Sequence, residues 1–576
     1  MPKKFISVIL LLLFSLSLLF SGCGASRNGT MDFHTYSDQL FITEMKQDTL
    51  SMHYTIKDPS AYGISDYKVS LPDYSSQSQT EQGILQENIC CSLANYSDCN
   101  LPLSDRLTFD ILSDYFQTNG DDDLSYYQEP MRPSTGFPAE LPVLLAEYQF
   151  YTEQDVKDYL LLLQQIPNCF ASICDYEQKK AESGLFMSDR QADFLISDME
   201  ALCDTTQRHY LLESFESRIA ELDDLTDLER KDYISENEAS LHEYILPSYQ
   251  MLIDCLSSLK GSGTNDAGLC YFPEGLSYYE DLVYASTGSS RSIDELLNLV
   301  EKHRLADLSA MTQLMVKYPD LTLNPTDFSF DTSSPDEILT YLSQCITKDF
   351  SAPVSTKFTV NYVAECMQES MAPAFYLPAP IDAADQNCIY INPSSRYSGL
   401  SLFTTLAHEG YPGHLYQTTK TASAGLAPIR SILNYPGYVE GWATYVEMLS
   451  YSYAGLPEEQ ASFLMHNQSA ILSLYATADL SIHGKGWTLS DTQAFFADYG
   501  IGNPEIVEEI YYYIVSEPAH YLKYYIGYLE ILELKNYAKE QLKDNYTDQN
   551  FHDAILAIGP APFSIIRDYL LEYMTQ

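Results

Sequence analysis

His408-Glu409-Gly410-Tyr411-Pro412-Gly413-His414 is the stretch of this sequence whose residue types and spacing could do chemistry. Imidazole nitrogens bind divalent transition metals, and a carboxylate beside them can move protons for an activated water. The usual zinc-peptidase helix is H-E-x-x-H, with both His one turn apart on one face. Here the second His comes six residues after the first. Six residues turn an ideal helix through about 600°, leaving the two side chains about 120° apart, so a regular helix cannot offer both to one ion. Pro412 breaks the hydrogen-bond ladder and Gly413 accepts unusual dihedrals. The sequence therefore predicts a bulge or break at 411–413 that swings His414 back. Spacing alone leaves two readings open, a metal site or two ordinary histidines at a helix end. The other His-Glu pair, His242-Glu243, has no second His nearby and reads as chance on a helix surface.

The elements that must position this motif read as helices. Leu402 to Ala407 is a helical approach to it. Ser292-Ile-Asp-Glu295, Ser334-Pro-Asp-Glu337 and Ser490-Asp-Thr-Gln493 each match a capping box, followed by apolar residues at three- and four-residue steps. Gln154 to Phe170 and Ile245 to Leu259 are apolar and of helix length. Strand signals are few. Thr359 to Val363 and Cys388 to Ile391 are short β-branched or aromatic runs, the second closed by Asn392-Pro393. The expected fold is mainly α, with a small β element before the metal-binding helix. Gly261-Ser-Gly-Thr-Asn-Asp266 is the best linker, dividing an N-terminal helical region (31–262) from a catalytic region (263–576).

A chain of 576 residues is too long for one ordinary core, and 45% apolar with 19% charged residues is a globular balance. The net charge of −48 repels phosphate backbones, so no nucleic-acid partner is expected. The 47 Tyr suit a half-wet cleft surface, or simple compositional drift. Residues 1–22 carry Lys3, Lys4 and an apolar run to Phe20, a secretory signal a little short for a spanning helix. Leu19-Phe20-Ser21-Gly22-Cys23 resembles a bacterial lipobox, with Phe20 where an aliphatic residue is usual. It implies cleavage before Cys23 and lipidation of that residue, with 23–30 as the tether. The chain would then sit outside the cytoplasm, anchored to the bilayer by lipid. Eleven cysteines remain, an odd number, with no CxxC of zinc-finger spacing and none after Cys388.

HEGYPGHLYQ resembles the signature of the bacterial domain of unknown function 885 family, usually H-E-A-x-P-G-H-H-x-Q. Gly410 stands for Ala and Leu415 for the second paired His. Three further segments are similar to the family's motifs. Tyr438 to Glu447 resembles E-G-W-A-L-Y-x-E; Asp479 to His483 with Gly486-Trp487 resembles D-T-G-x-H…G-W; Pro518 to Gly527 resembles P-G-Q-A-L-x-Y-K-I-G. In the last, His520 stands for Gln and Tyr525 for Lys. The similarity is good over roughly residues 270–576 and loose before. It implies a large helical zincin-like body with a deep cleft that excludes folded proteins.

On that resemblance, zinc is held by His408, His414 and Glu440, leaving an open position for water. Glu447, seven residues on and on the same helix face, is the alternative ligand or orients a ligating His. Glu409 is the general base that takes a proton from water and passes it to the leaving amine. His483 and Tyr524 are the candidate donors to the oxyanion, and His520 and Tyr525 are candidate pocket-lining residues. Three functions compete: a zinc peptidase acting on short peptides, a non-catalytic peptide- or ligand-binding lipoprotein with a degenerate metal site, and a metal-dependent hydrolase of a non-peptide amide.

Overall fold

The computed structural model describes residues 31–118, 126–127, 129–206, 208–322, 334–363, 368, 372–393 and 399–575. The expected signal peptide, Cys23 and the tether to residue 30 lie outside the described residues. Four helices open the chain: α1 (Phe33–Met45), α2 (Thr49–Thr55), α3 (Ser76–Leu93) and α4 (Leu103–Thr118). Six follow: α5 (Phe137–Glu147), α6 (Glu153–Glu182), α7 (Asp189–Leu202), α8 (Tyr210–Ala220), α9 (Asp227–Ser240) and α10 (Leu246–Leu259), the last entered through a π-helical turn at Leu241–Ile245. His242 and Glu243 are exposed on that turn. Then come α11 (Gly275–Thr287), α12 (Ile293–Lys317) and α13 (Pro335–Cys345). Among the described residues no helix is long and apolar enough to cross a membrane.

The molecule is mainly α, with one three-stranded sheet: β1 (Phe358–Tyr362), β2 (Ala374–Leu377) and β3 (Asn387–Ile391). β3 lies in the centre, parallel to β1 and antiparallel to β2. All five β3 residues are buried, so the short apolar run reads as a strand covered on both faces. β2 is a strand the sequence does not announce, because Pro373 and Pro378 flank it.

Beyond the sheet the chain is helical again: α14 (Leu400–Glu409), α15 (His414–Ser423), α16 (Pro436–Ser450), α17 (Glu458–Lys485), α18 (Leu489–Asp498), α19 (Pro504–Ser516), α20 (Leu522–Leu542), α21 (Asp548–Ile558) and α22 (Phe563–Met574). Ser292 and Glu295 form the expected capping box at the start of α12. The cap of α18 falls two residues earlier than expected, on Thr488 and Asp491 rather than Ser490 and Gln493. Asp at N3 serves as well as Glu, since a shorter carboxylate still reaches the Thr488 amide at 2.9 Å.

Among the described residues two large hydrophobic cores result, beside two smaller clusters. One joins helices α1, α3 and α4 to the sheet and the helices after residue 269. The other is built mostly by residues 131–259, around α6 and α10. In the first core α16 packs on α20 at a backbone-to-backbone distance set by glycine. A Cβ on Gly441 would stand 2.4 Å from the Gly527 carbonyl carbon, so these two residues let the helices touch.

Candidate metal centre

α14 carries His408 and Glu409 in its last turn, and α15 starts at His414, so the helix breaks across 410–413 as expected. The Tyr411–Pro412 peptide is cis. Gly413 donates to the Ala407 carbonyl at 2.9 Å, folding the chain back on itself. A Cβ at Gly413 would lie 1.6 Å from the His408 oxygen, so only glycine fits this step. Trp442 on α16 clamps it from the other side, its indole N–H donating to the Pro412 carbonyl at 2.9 Å. The rings of His408 and His414 end 4.9 Å apart between centroids, nearly perpendicular.

One oxygen of Glu440, on α16, stands 3.4 Å from His408 Nε2 and 3.5 Å from His414 Nε2. Two donors about 2.1 Å from a tetrahedral ion stand about 3.4 Å apart, so the spacing fits zinc. The other ring nitrogens face away. His408 Nδ1 meets Glu447 at 3.1 Å, and His414 Nδ1 meets the Gln417 side-chain oxygen at 3.5 Å. With Nδ1 turned outward to these partners, each Nε2 faces Glu440, and on loss of its proton it would present a lone pair inward, the arrangement a ligand needs. Glu440 therefore faces both imidazoles, whereas Glu447 touches the outer side of one. Gln417 is a positioning residue that sequence reasoning did not single out, although it stands inside the quoted signature.

A Glu409 carboxylate oxygen lies within 4.8 Å of nitrogens on both His408 and His414. Its other constraint is the amide of Tyr376 on β2, which donates to Glu409 Oε2 at 2.9 Å. Burial raises its pKa above the ordinary range, against the opposing pull of His408 and His414. Burial acts against the Glu440 charge too, but hydrogen bonds from the two imidazoles prevail and hold its pKa well below normal. His408 is likewise opposed by burial, yet Glu440 and Glu447 raise it well above the usual value.

Tyr524, near the start of α20, has its ring centroid 6.4 Å from that of His408. Burial, then the charges of Glu440 and Glu409, raise its pKa, so the phenol keeps its proton and remains a donor. The His520 ring lies 5.9 Å from Tyr524. Burial, then Lys523, lower its pKa to about 4, leaving it neutral near pH 7.

Two expected residues lie elsewhere. His483 is fully buried in α17, and both its ring nitrogens are used by backbone: Nδ1 accepts from Leu269 N–H at 3.1 Å and Nε2 donates to the Ile514 carbonyl at 2.9 Å. It holds segments together and has no free donor for an oxyanion. Tyr525 is also fully buried, turned about 100° from Tyr524 around the helix toward Ser469 and Tyr528, so it does not line a pocket. Asp479, in the same motif as His483, accepts from Tyr279 at 2.5 Å and from the Ala519 amide at 3.2 Å. It thereby pins the turn before Tyr524. Ala519 has φ 63° where the resembled motif carries Gly.

A cleft of about 1630 Å³ runs past α1, α2 and Glu140 and does not include the His408, His414 or Glu440 side chains in its lining. The Glu140 carboxyl in its wall feels the Lys523 charge beside Tyr524.

The sequence matches the family described as "Bacterial protein of unknown function (DUF885)" over residues 59–570, reaching well into the N-terminal half. No curated protein matches it. A crystal structure of a candidate lipoprotein from Colwellia psychrerythraea is similar, with TM-score 0.80, 18% identity and coverage of 94% of this chain and 99% of that one. A candidate lipoprotein of unknown function from Shewanella oneidensis is similar at TM-score 0.65 and 15% identity, covering 94% and 100%.

Proposed function

This chain belongs to the DUF885 family, and on that premise we propose that it is a zinc-dependent hydrolase cleaving peptide bonds of short peptides outside the cytoplasmic membrane. The observation that carries the reading is the single Glu440 oxygen 3.4 and 3.5 Å from the two inward Nε2 atoms. Zinc held there would polarise the scissile carbonyl and acidify the attacking water. The protein's own groups do the rest. Glu409, steered by the Tyr376 amide, takes the proton and hands it to the leaving amine. Its raised pKa suits a group that must both accept and release a proton. Tyr524 would donate a hydrogen bond from its phenol to the developing oxyanion, keeping its proton, while neutral His520 lines the site beside it. The ligand side chains are only 13–20% exposed, which supports small substrates over folded ones. Lipid on Cys23 would tether this body to the outer face of the membrane, a placement supported by the description of both structural neighbours as candidate lipoproteins.

The test is metal content by mass spectrometry together with cleavage of a peptide library by the soluble body from residue 27. One zinc per chain with cleavage supports the proposal. Absence of stoichiometric metal replaces it with a non-catalytic peptide- or ligand-binding lipoprotein.

A further inference from the structure

The second core contains a thiol pair that plays no part in the metal chemistry. Cys174 lies on α6 and Cys255 on α10, two helices packed against each other. Each thiol sits against the other helix. Cys255 Sγ is 3.9 Å from the Cys174 carbonyl oxygen, and Cys174 Sγ is 4.0 Å from the Met251 carbonyl oxygen. The two thiols are also close enough for each to shift the ionisation of the other. Both are half-buried, so a small oxidant can reach them. Cys169, on the same helix, is buried.

We infer that Cys174 and Cys255 are a disulfide-forming pair that covalently staples α6 to α10. The contact is what a disulfide requires, since sulfurs on facing helices must approach closely before a bond can form. The neighbouring Cys255 thiol lowers the Cys174 pKa despite burial, which favours Cys174 as the attacking sulfur. Asp175 and Glu177 oppose its ionisation, Glu177 being fully buried one turn away. The oxidant is a low-molecular-weight disulfide. Cys174, as thiolate, attacks one of its sulfurs, forming a mixed disulfide and releasing one thiol. Cys255 then loses its proton and attacks Cys174 Sγ, releasing the second thiol. The two protons and two electrons of the pair leave with the two released thiols. The bond would close a loop spanning 81 residues of sequence, which restricts the unfolded chain strongly.

The experiment equilibrates the full chain with excess oxidised glutathione, blocks remaining thiols with iodoacetamide, and maps peptides without reduction. The expected result is a Cys174–Cys255 cross-linked peptide two hydrogen masses lighter than the sum of its parts. In Cys255→Ser the cross-link disappears and Cys174 carries glutathione or the alkyl group. The inference is overturned if both cysteines of the wild-type chain are alkylated, or if each carries glutathione without a link between them. The wild-type map decides even if the variant fails to fold, and it is independent of metal binding and peptide cleavage.

Discussion

The Tyr376 amide donates to the Glu409 carboxylate at 2.9 Å, so the edge of a short β-strand steers the acid–base group of the candidate site. In antiparallel pairing with β3, Tyr376 faces Ile389, and its N–H points to the side of β2 away from the sheet. The sheet, small as it is, fixes where that carboxylate points.

Glu409→Gln should keep the hydrogen bond from Tyr376, retain zinc and lose peptide cleavage by about 10²–10⁴-fold, the usual contribution of general acid–base catalysis. Metal stoichiometry and initial rates on one cleaved peptide measure both. Retained activity at the wild-type rate would assign the base elsewhere.

Zinc affinity should rank the surrounding side chains. Glu440→Ala should weaken binding far beyond the roughly 10–100-fold expected for Glu447→Ala and Gln417→Ala, which act on the ring nitrogens turned outward. Competition with a fluorescent chelator gives the three dissociation constants. Equal losses for Glu440 and Glu447 would make Glu447 a ligand.

Ala519 sits at φ 63°, a left-handed conformation that costs a residue with a Cβ about 1–2 kcal/mol. Ala519→Gly should therefore stabilise the fold by about 0.5 kcal/mol after the extra entropy of glycine in the unfolded chain. Urea unfolding of the pair measures it. A destabilised variant would mean that the methyl group packs better than the strain costs.

Asp479 is fully buried, and burial raises its pKa from 3.8 to about 7, with Tyr279 pulling the other way. The native state thus favours the protonated form. The resulting stability is complete below about pH 4 and is lost as pH rises toward 7, by up to ~1.4 kcal/mol per pH unit. Asp479→Asn should flatten the stability profile between pH 4 and 7. Unfolding midpoints across that range decide, and identical slopes in both proteins would locate the proton uptake elsewhere.

The break at Pro412-Gly413 is legible in the sequence because two residues with known backbone limits stand between two histidines. The fold class and the helix leading into the motif are legible for the same reason, local pattern. The strand Ala374–Leu377 is not, because its prolines argue for a loop and only pairing with β3 makes it a strand. His483 misleads more deeply. Its motif suggests chemistry, but its partners, Leu269 and Ile514, are remote in sequence, and no local signal shows that they occupy both its nitrogens. Tyr524 and Tyr525 are adjacent and alike, and only the helix phase separates the one facing the site from the one in the core.

The indole of Trp442 grips the Pro412 carbonyl from the helix that also carries Glu440. The histidine-bearing turn and the carboxylate-bearing helix are therefore one mechanical unit. Such a cage is preorganised: little of the affinity for an ion is spent on shaping its ligands, and loading should leave backbone amide exchange around residues 408–414 nearly unchanged.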